Sequence, residues 1–475
     1  MKVNKTLGIF LVVHFIIWSV LPIILRPNLP MDSAEALIWG FIGEWGTNKH
    51  PPVSGFFANL IYQLTSHPSS LYILSQLFII GGFIYIYKIA RLFLPENKSL
   101  IATLILEGVA YYNMVTSEYN VNIIALMLWP AATYHFYLSI NKNKLSDWVA
   151  FGLFCGLNIL TKYVSGVLLI CFACYLLFTR KGRSCFKSWK FYIGGTIAFV
   201  TIIPHLIWLH NHDYFVLNYF LGRSQGGKSM SYGLAHIVYP LKFLGSQLLT
   251  SAFALLALIT AHKLSPKETS SHNKKDKKFL FMVGVLPVLI MALISLVFGI
   301  KLKSMWGSPV MYLLGVCFFV YFPFNITKSY KILLKTSYIA LFLFAFVFTM
   351  QVLFTTSAKF KINASDFTTA VKGENYEYVG GSVWLASTVG VYAHNHPKVL
   401  FLMSAKDNPW INMTDVKEKG ILVVTEDLWE YENYQKTFAN LSKPEVYLLK
   451  AKNILGKERE HKLYYGSIKG DKNER

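Results

Sequence analysis

The sequence predicts a polytopic α-helical membrane protein that ends in a small polar α/β domain. Three observations carry this prediction. Apolar runs of about 20 residues recur between residues 7 and 353, the length a helix needs to cross a bilayer. Of the 475 residues, 54% are hydrophobic and 15% charged, against roughly 25% charged in a soluble domain. Beyond about residue 355 the long runs stop, and short β-type segments alternate with polar turns.

Taken in order, the N-terminal MKVNKT is short and basic, which places it inside by the positive-inside rule. Residues 7–25 cross outward; the run is too long for a signal peptide and lacks a small-residue cleavage site. The outer stretch 31–52, MDSAEALIWGFIGEWGTNKHPP, follows. Asp32 reads as an N-cap with Glu35 as its capping-box partner. That predicts a short amphipathic helix along the interface, with Trp39 and Trp45 as anchors, and residues 53–64 read as a second such helix.

Spans are then expected at 71–89, 100–115 and 123–140. A hairpin of 148–160 and 164–178 follows, with Lys162 at its outer turn. The next spans are 191–209, 234–261, 279–300, 310–324 and 337–353. Basic connectors such as HKLSPKETSSHNKKDKK lie inside. The total is about eleven spans, with the N-terminus in and the C-terminus out. Two units result: residues 1–354 in the membrane, with 31–65 as the first outer loop, and residues 355–475 outside. In the second unit YVGGSVWLAS, KVLFLMS, GILVVTEDLW and EVYLLKA read as strands or strand–helix pairs, and GSIKGDKNER as a frayed end.

The net charge of +21 does not point to nucleic acid, because the basic residues cluster in short connectors rather than along one stripe. The five cysteines lie in or near apolar runs with no zinc-type spacing, so no zinc site is expected, and no cysteine follows residue 317, so the C-terminal region has no disulfide. Cys171 and Cys174 read as packing residues. GRSQGGKS lacks Walker spacing and follows no strand, which argues against a nucleotide site; it reads as a mobile outer loop able to close over a substrate.

The informative residues are the cations that break the positive-inside pattern. Lys49, Lys162, Arg223, Lys228, Lys301 and Lys303 all fall on the outer face, and they come from different loops. Ionisable groups at membrane depth are costly and usually face a cavity or a partner. Converging cations suit a phosphate or diphosphate, and His50 can add a hydrogen bond or charge. Asp32, Glu35 and Glu118 share that face.

Several segments in order now carry a likeness. DSAEALIWG with NKHPP, EYNVNIIALMLWP, LTKYVSG, PHLIWLHNHDY, KSMWGSP and KDNPWINMTDVKEKGILVV span most of the chain. Together they resemble the bacterial GT-C membrane glycosyltransferases of the protein-O-mannosyltransferase-like type (glycosyltransferase family 39). That group includes the aminoarabinose and uronic-acid or aminosugar transferases of lipid A. The resemblance implies a GT-C fold and a polyprenyl-phosphate sugar, undecaprenyl-linked, as donor. No cofactor or metal is obligatory. The implied acceptor is lipid A or lipopolysaccharide, with protein or another envelope glycan as the alternative. A monomer in the bacterial inner membrane is implied, its active site and C-terminal domain in the periplasm. By position, Asp32 takes the place of the essential first-loop Asp, and Glu35 is the second candidate catalytic carboxylate. Lys49, His50, Lys162, Lys303 and Arg223 are candidates for the donor phosphate. Glu118, Asn122 and Trp306 are candidates for acceptor or sugar. Where many relatives read Asp-Glu, Ser33 follows Asp32 here. A lipid-linked sugar flippase would share the phosphate-binding cations, but the hydropathy pattern shows no inverted repeat.

Overall fold

The computed structural model describes residues 2–224, 232–269 and 272–471. Its membrane part comprises α1 (Lys2–Leu25), α2 (Met31–Ile42), α3 (Val53–Thr65), α4 (Ser70–Phe93), α5 (Glu96–Leu104), α6 (Val121–Lys142), α7 (Leu145–Thr161), α8 (Gly166–Phe178), α9 (Arg180–Cys185), α10 (Trp189–Asn211), α11 (Phe215–Ser224), α12 (Tyr232–Thr250), α13 (Ala252–Leu264), α14 (Lys274–Leu280), α15 (Leu286–Phe298), α16 (Leu314–Tyr321) and α17 (Tyr330–Phe354). This is a multi-pass membrane protein. Among the described residues, six helices are long and apolar enough to cross a bilayer, and nine spans result if each of three bent pairs crosses once. The expected eleven is reached only when the shorter apolar helices Leu145–Thr161 and Tyr163–Phe178 are also counted.

The expected span 100–115 is not one straight helix. It bends by 90° between Glu96–Gly108 and Ala110–Ser117. The Asn113 side-chain amide donates to the carbonyls of Glu107 (2.7 Å) and Val109 (3.1 Å). A side chain that takes over backbone acceptors in this way competes with the helical ladder and ends it. Gly108 sits against the backbone of Ala254, where a Cβ would clash.

α2 departs from its sequence reading in two ways. Its N-cap is Pro30, with no side-chain cap, so Asp32 is not the capping residue. Glu118 Oε1 instead accepts the Asp32 backbone N–H at 3.1 Å, and Glu35 turns away from the helix start. Trp39 is not an interfacial anchor. It is 5% exposed, and its indole N–H donates to Asn48 Oδ1 at 2.9 Å. Trp45 is exposed. α2 and α3 cross at Gly40 and Gly55, where a Cβ on Gly40 would strike the Gly55 carbonyl.

The C-terminal part adds α18 (Ala358–Lys361), α19 (Ala364–Ala370), β1 (Tyr378–Gly381), α20 (Val383–Tyr392), β2 (Lys398–Phe401), α21 (Met413–Lys419), β3 (Gly420–Thr425), α22 (Leu428–Thr437), β4 (Glu445–Lys452) and β5 (Glu458–Lys469). The sheet order is β2-β1-β3-β5-β4. β1 pairs in parallel with β2 and β3, while β5 runs antiparallel between β3 and β4. β5 corrects part of the reading of GSIKGDKNER as frayed. Gly466 to Lys469 are paired, from Gly420↔Lys469 to Val423↔Gly466, and residues 472–475 lie outside the described residues. The central strands β1 and β3 are buried throughout, as expected for strands covered on both faces.

This small domain bears directly on the membrane part. α20 packs on α2, with Gly390 against Ile38. Leu37 and Ile38 are fully buried, each worth roughly 1.5–3 kcal/mol of burial. The helix that carries Asp32 and Glu35 is thus held on one side by α3 and on another by α20. All five cysteines are free thiols.

Candidate active site

One cavity of about 170 Å³, open to solvent, brings together most of the residues singled out from sequence: Asp32, Glu35, Lys49, His50, Asn122, Lys162, Lys303 and Trp306. They reach it from α2, the α2–α3 loop, the start of α6, the α7–α8 turn and the loop after α15. Lys49, Lys162 and Lys303 oppose Asp32 and Glu35 there, so with His50 neutral the wall carries one net positive charge.

The α2–α3 loop is a folded hairpin. Thr47 Oγ1 accepts the backbone N–H groups of Lys49 (3.1 Å) and His50 (2.9 Å) and donates to the His50 carbonyl at 2.9 Å. The His50 ring meets Trp39 edge-on at 5.8 Å. Gly46 leaves room for the Trp208 ring, and the Trp208 indole N–H donates to Glu44 at 2.9 Å. His205 Nδ1 donates to the Trp45 carbonyl (2.5 Å), which leaves Nε2 to accept from the Tyr163 hydroxyl (2.7 Å). α10 therefore fixes the loop that presents Lys49 and His50.

Glu35 is 1% exposed, and its two oxygens lie 2.7 and 2.9 Å from Lys49 Nζ. Burial disfavours the charged form of Lys49, but the adjacent Glu35 carboxylate outweighs it and holds the ammonium above the usual lysine value. Burial pushes the Glu35 carboxyl up, and Lys49 is the main influence pulling it back. Asp32 is half-buried at the cavity wall. Its charge is felt by Glu35, Lys49 and Glu118 alike. Glu118 sits behind α2 rather than in the cavity; burial first, and Asp32 second, push its carboxyl up to about 7.

Lys162 is 7% exposed. Its Nζ donates to Asn122 Oδ1 at 2.6 Å and lies 5.7 Å from the Trp306 ring centre, within cation–π range. Asn122 is in turn oriented by Asn120, whose Oδ1 accepts from its amide at 2.9 Å. The Lys303 loop is pinned at the Ser304 carbonyl by Tyr111 Oη (2.7 Å) and Gln247 Nε2 (3.1 Å). Trp306 stacks on Phe220 at 5.8 Å.

The other cations that break the positive-inside pattern fare differently. Lys301 is exposed and does not line the cavity. Residues 222–224, the start of the expected closing loop, belong to α11 instead; the Arg223 side chain and residues 225–231, with Lys228, lie outside the described residues. Sequence reasoning missed Tyr163 and Tyr219, which line the cavity. Tyr163 follows Lys162 directly, and that adjacency was the available signal. Tyr219 lies in a helix read as loop, so nothing in the pattern aimed it inward. Among the described residues no group of three or more His, Cys, Asp or Glu could hold a metal ion.

Comparison with known proteins agrees with this architecture. Residues 49–208 match the family described as dolichyl-phosphate-mannose-protein mannosyltransferase. Over 213 residues the chain is 20% identical to the lipopolysaccharide core galacturonosyltransferase RgtA of Rhizobium johnstonii. Over 307 residues it is 22% identical to RgtB of the same organism. These matches cover 44% and 61% of this chain, and only 42% and 60% of the relatives' lengths. The structure of ArnT from Cupriavidus metallidurans bound to undecaprenyl phosphate superposes with a TM-score of 0.62 at 13% identity, over 98% of both chains. The chain has the GT-C fold of that protein from end to end, as the sequence resemblance implied.

Proposed function

We propose that this GT-C membrane protein is a glycosyltransferase that moves a sugar from a polyprenyl-phosphate donor to an envelope acceptor, lipid A or lipopolysaccharide. The observation that carries this is one shared cavity in which Asp32 faces three lysines and a histidine delivered by separate elements. A net-positive wall suits the phosphate of a lipid-linked sugar, and a half-buried carboxylate suits a hydroxyl or amine of a saccharide. The names of the relatives support the same substrate class: two act on lipopolysaccharide core, and ArnT binds undecaprenyl phosphate. On this reading the cavity face is periplasmic and the membrane is the bacterial inner membrane.

The chemistry is an in-line displacement. An acceptor oxygen attacks the anomeric carbon, the bond from that carbon to the phosphate oxygen breaks, and polyprenyl phosphate leaves with the bonding pair. The configuration at that carbon inverts. Lys162, Lys303 and His50 stabilise the charge that grows on the departing phosphate. Lys49 joins them, its charge partly offset by Glu35. Asp32 takes the proton of an acceptor hydroxyl. An acceptor phosphate monoester, second pKa about 6, is already mostly ionised at neutral pH, and Asp32 then orients the sugar instead. Glu35, enclosed with Lys49, acts as its counter-ion rather than as a second base.

The test is mass spectrometry of lipopolysaccharide and lipid A from cells with and without the gene, with rescue by wild-type protein and by Asp32→Asn. One missing sugar unit, restored by wild type and not by a folded Asp32→Asn protein, is the expected result. Unchanged glycan in the deletion strain removes the lipid A and lipopolysaccharide reading.

A further inference from the structure

A second polar cleft lies beside the donor cavity. It has a volume of about 810 Å³ and runs between the α10–α11 region and the loop after β2, with Asp213, Asn218 and Tyr219 on one wall and Lys406, Asp407 and Pro409 on the other. Tyr219 lines both spaces, so the cleft leads to the reacting centre. One wall belongs to the membrane part and the other to the C-terminal domain.

Both walls are rigid and locally strained. Asp213 and Tyr214 have φ of 50° and 52°, and Leu402 and Met403 have 57° and 53°. Two successive non-glycine residues in the left-handed region are costly, and such strain concentrates at binding sites. The strain is held in place. His212 Nδ1 donates to the Trp208 carbonyl at 2.7 Å, and the His212 ring stacks on Trp208 at 4.2 Å. Across the cleft, fully buried Asn408 donates to the carbonyls of Phe401 (2.9 Å) and Ser404 (2.7 Å) and accepts from the Phe401 N–H at 3.0 Å. Trp410 then packs into the apolar cluster of Trp208, Leu209 and Val216, which ties the two walls together. Among the side chains that line the cleft, Asp213, Asn218 and Lys406 are exposed and Asp407 is half-buried.

We infer that this cleft holds the saccharide portion of the acceptor and delivers one of its nucleophilic groups past Tyr219 to the donor. This rests on the glycosyltransferase reading above. Carboxylates and an amide around tyrosine and proline surfaces match the hydroxyls and C–H faces of a sugar. With His212 neutral, the two carboxylates against one lysine distinguish the cleft from the cationic donor cavity and select a hydroxyl- or amine-bearing saccharide over a phosphate. The fixed loops keep the ordering cost of binding low.

The test uses the full-length protein. Two variants are expressed in the gene-deletion strain: Asp213→Ala with Asp407→Ala, and Asn218→Trp, which fills the cleft. The envelope glycan restored by each is quantified by mass spectrometry. Each purified variant is also measured for binding of undecaprenyl phosphate and for thermal unfolding. The expected result is about a tenfold or larger drop in restored glycan, as for lost hydrogen bonds to charged groups, with undecaprenyl phosphate affinity and unfolding temperature unchanged. Full restoration by both variants overturns the acceptor cleft and leaves the transferase reading standing. Loss of undecaprenyl phosphate binding or of thermal stability alongside the glycan assigns these loops a purely structural role and also overturns it. A deletion strain with no altered envelope glycan removes the transferase reading, and the cleft with it.

Discussion

Glu35 and Lys49 form a closed pair inside the cavity wall: both carboxylate oxygens lie within 2.9 Å of the ammonium, and the carboxylate is buried. Removing one partner of a buried pair leaves an uncompensated charge, at a cost of about 3–5 kcal/mol, whereas replacing both is often near neutral. Glu35→Gln is therefore expected to lower the unfolding temperature sharply. Glu35→Gln with Lys49→Met should recover most of it, yet still bind undecaprenyl phosphate more weakly than wild type. Thermal unfolding and ligand titration on the four proteins of this cycle separate the two effects. A double variant that binds the lipid phosphate normally removes Lys49 from the donor site.

Lys162 donates to a neutral side chain. A hydrogen bond to the Asn122 amide oxygen does not itself neutralise the ammonium. Lys162→Met should weaken undecaprenyl phosphate binding about tenfold or more, the scale of a hydrogen bond to a charged group. Asn122→Asp should weaken it comparably, by neutralising the lysine in place, while Asn122→Leu should weaken it less. Equal losses for Asp and Leu at position 122 would mean that Asn122 serves only to pack.

The convergence of these groups was legible in the sequence because charge is conspicuous in an apolar chain. Lys49, Lys162 and Lys303 each break the positive-inside pattern, and the structure brings all three into one cavity. Their partners were not legible. Glu35 sits at the spacing of a capping box, but Pro30 starts the helix and Lys49, 14 residues on, captures the carboxylate. Local spacing cannot register a partner supplied by a later loop. The break after Gly108 was hidden for a related reason. The run 100–115 is apolar enough for one helix, and a single side chain, Asn113, diverts its backbone. β5 was obscured by its run of charged residues, and it is specified by pairing on both edges rather than by alternation.

Glu118 makes stability depend on pH. Its folded-state pKa of about 7 stands above the ordinary 4.5. Between these values the folded protein binds a proton that the unfolded chain has released, so stability falls as pH rises from about 4.5 to about 7 and stays low above. The full loss is about 3 kcal/mol. Glu118→Gln keeps an acceptor for the Asp32 N–H but carries no charge. It should unfold at a higher temperature than wild type at pH 8 and match it at pH 4.5. A wild-type unfolding temperature that is flat across this range, or an unchanged slope in the variant, would contradict the assignment.

Deeper in the bundle, His14 and Glu107 are both fully buried, with Nδ1 2.8 Å from Oε2. His14 Nε2 faces Gln76 Oε1 at 3.2 Å, and the Gln76 amide donates to the Thr116 hydroxyl (3.0 Å) and carbonyl (3.3 Å). The pair thus joins α1 and α4 to both sides of the break at Gly108, whose outgoing arm ends at Glu118 and the start of α2. A buried polar group left without its hydrogen-bond partner is costly, so His14→Leu should destabilise by about 1–3 kcal/mol. His14→Leu with Glu107→Leu should regain most of that stability. Because the helix break would then lack its polar ties, the double variant should still bind undecaprenyl phosphate less tightly than wild type. Thermal unfolding paired with undecaprenyl phosphate titration tests both halves. Normal affinity in a stable double variant would show that the buried pair contributes only to packing and does not set the position of the Glu118 arm.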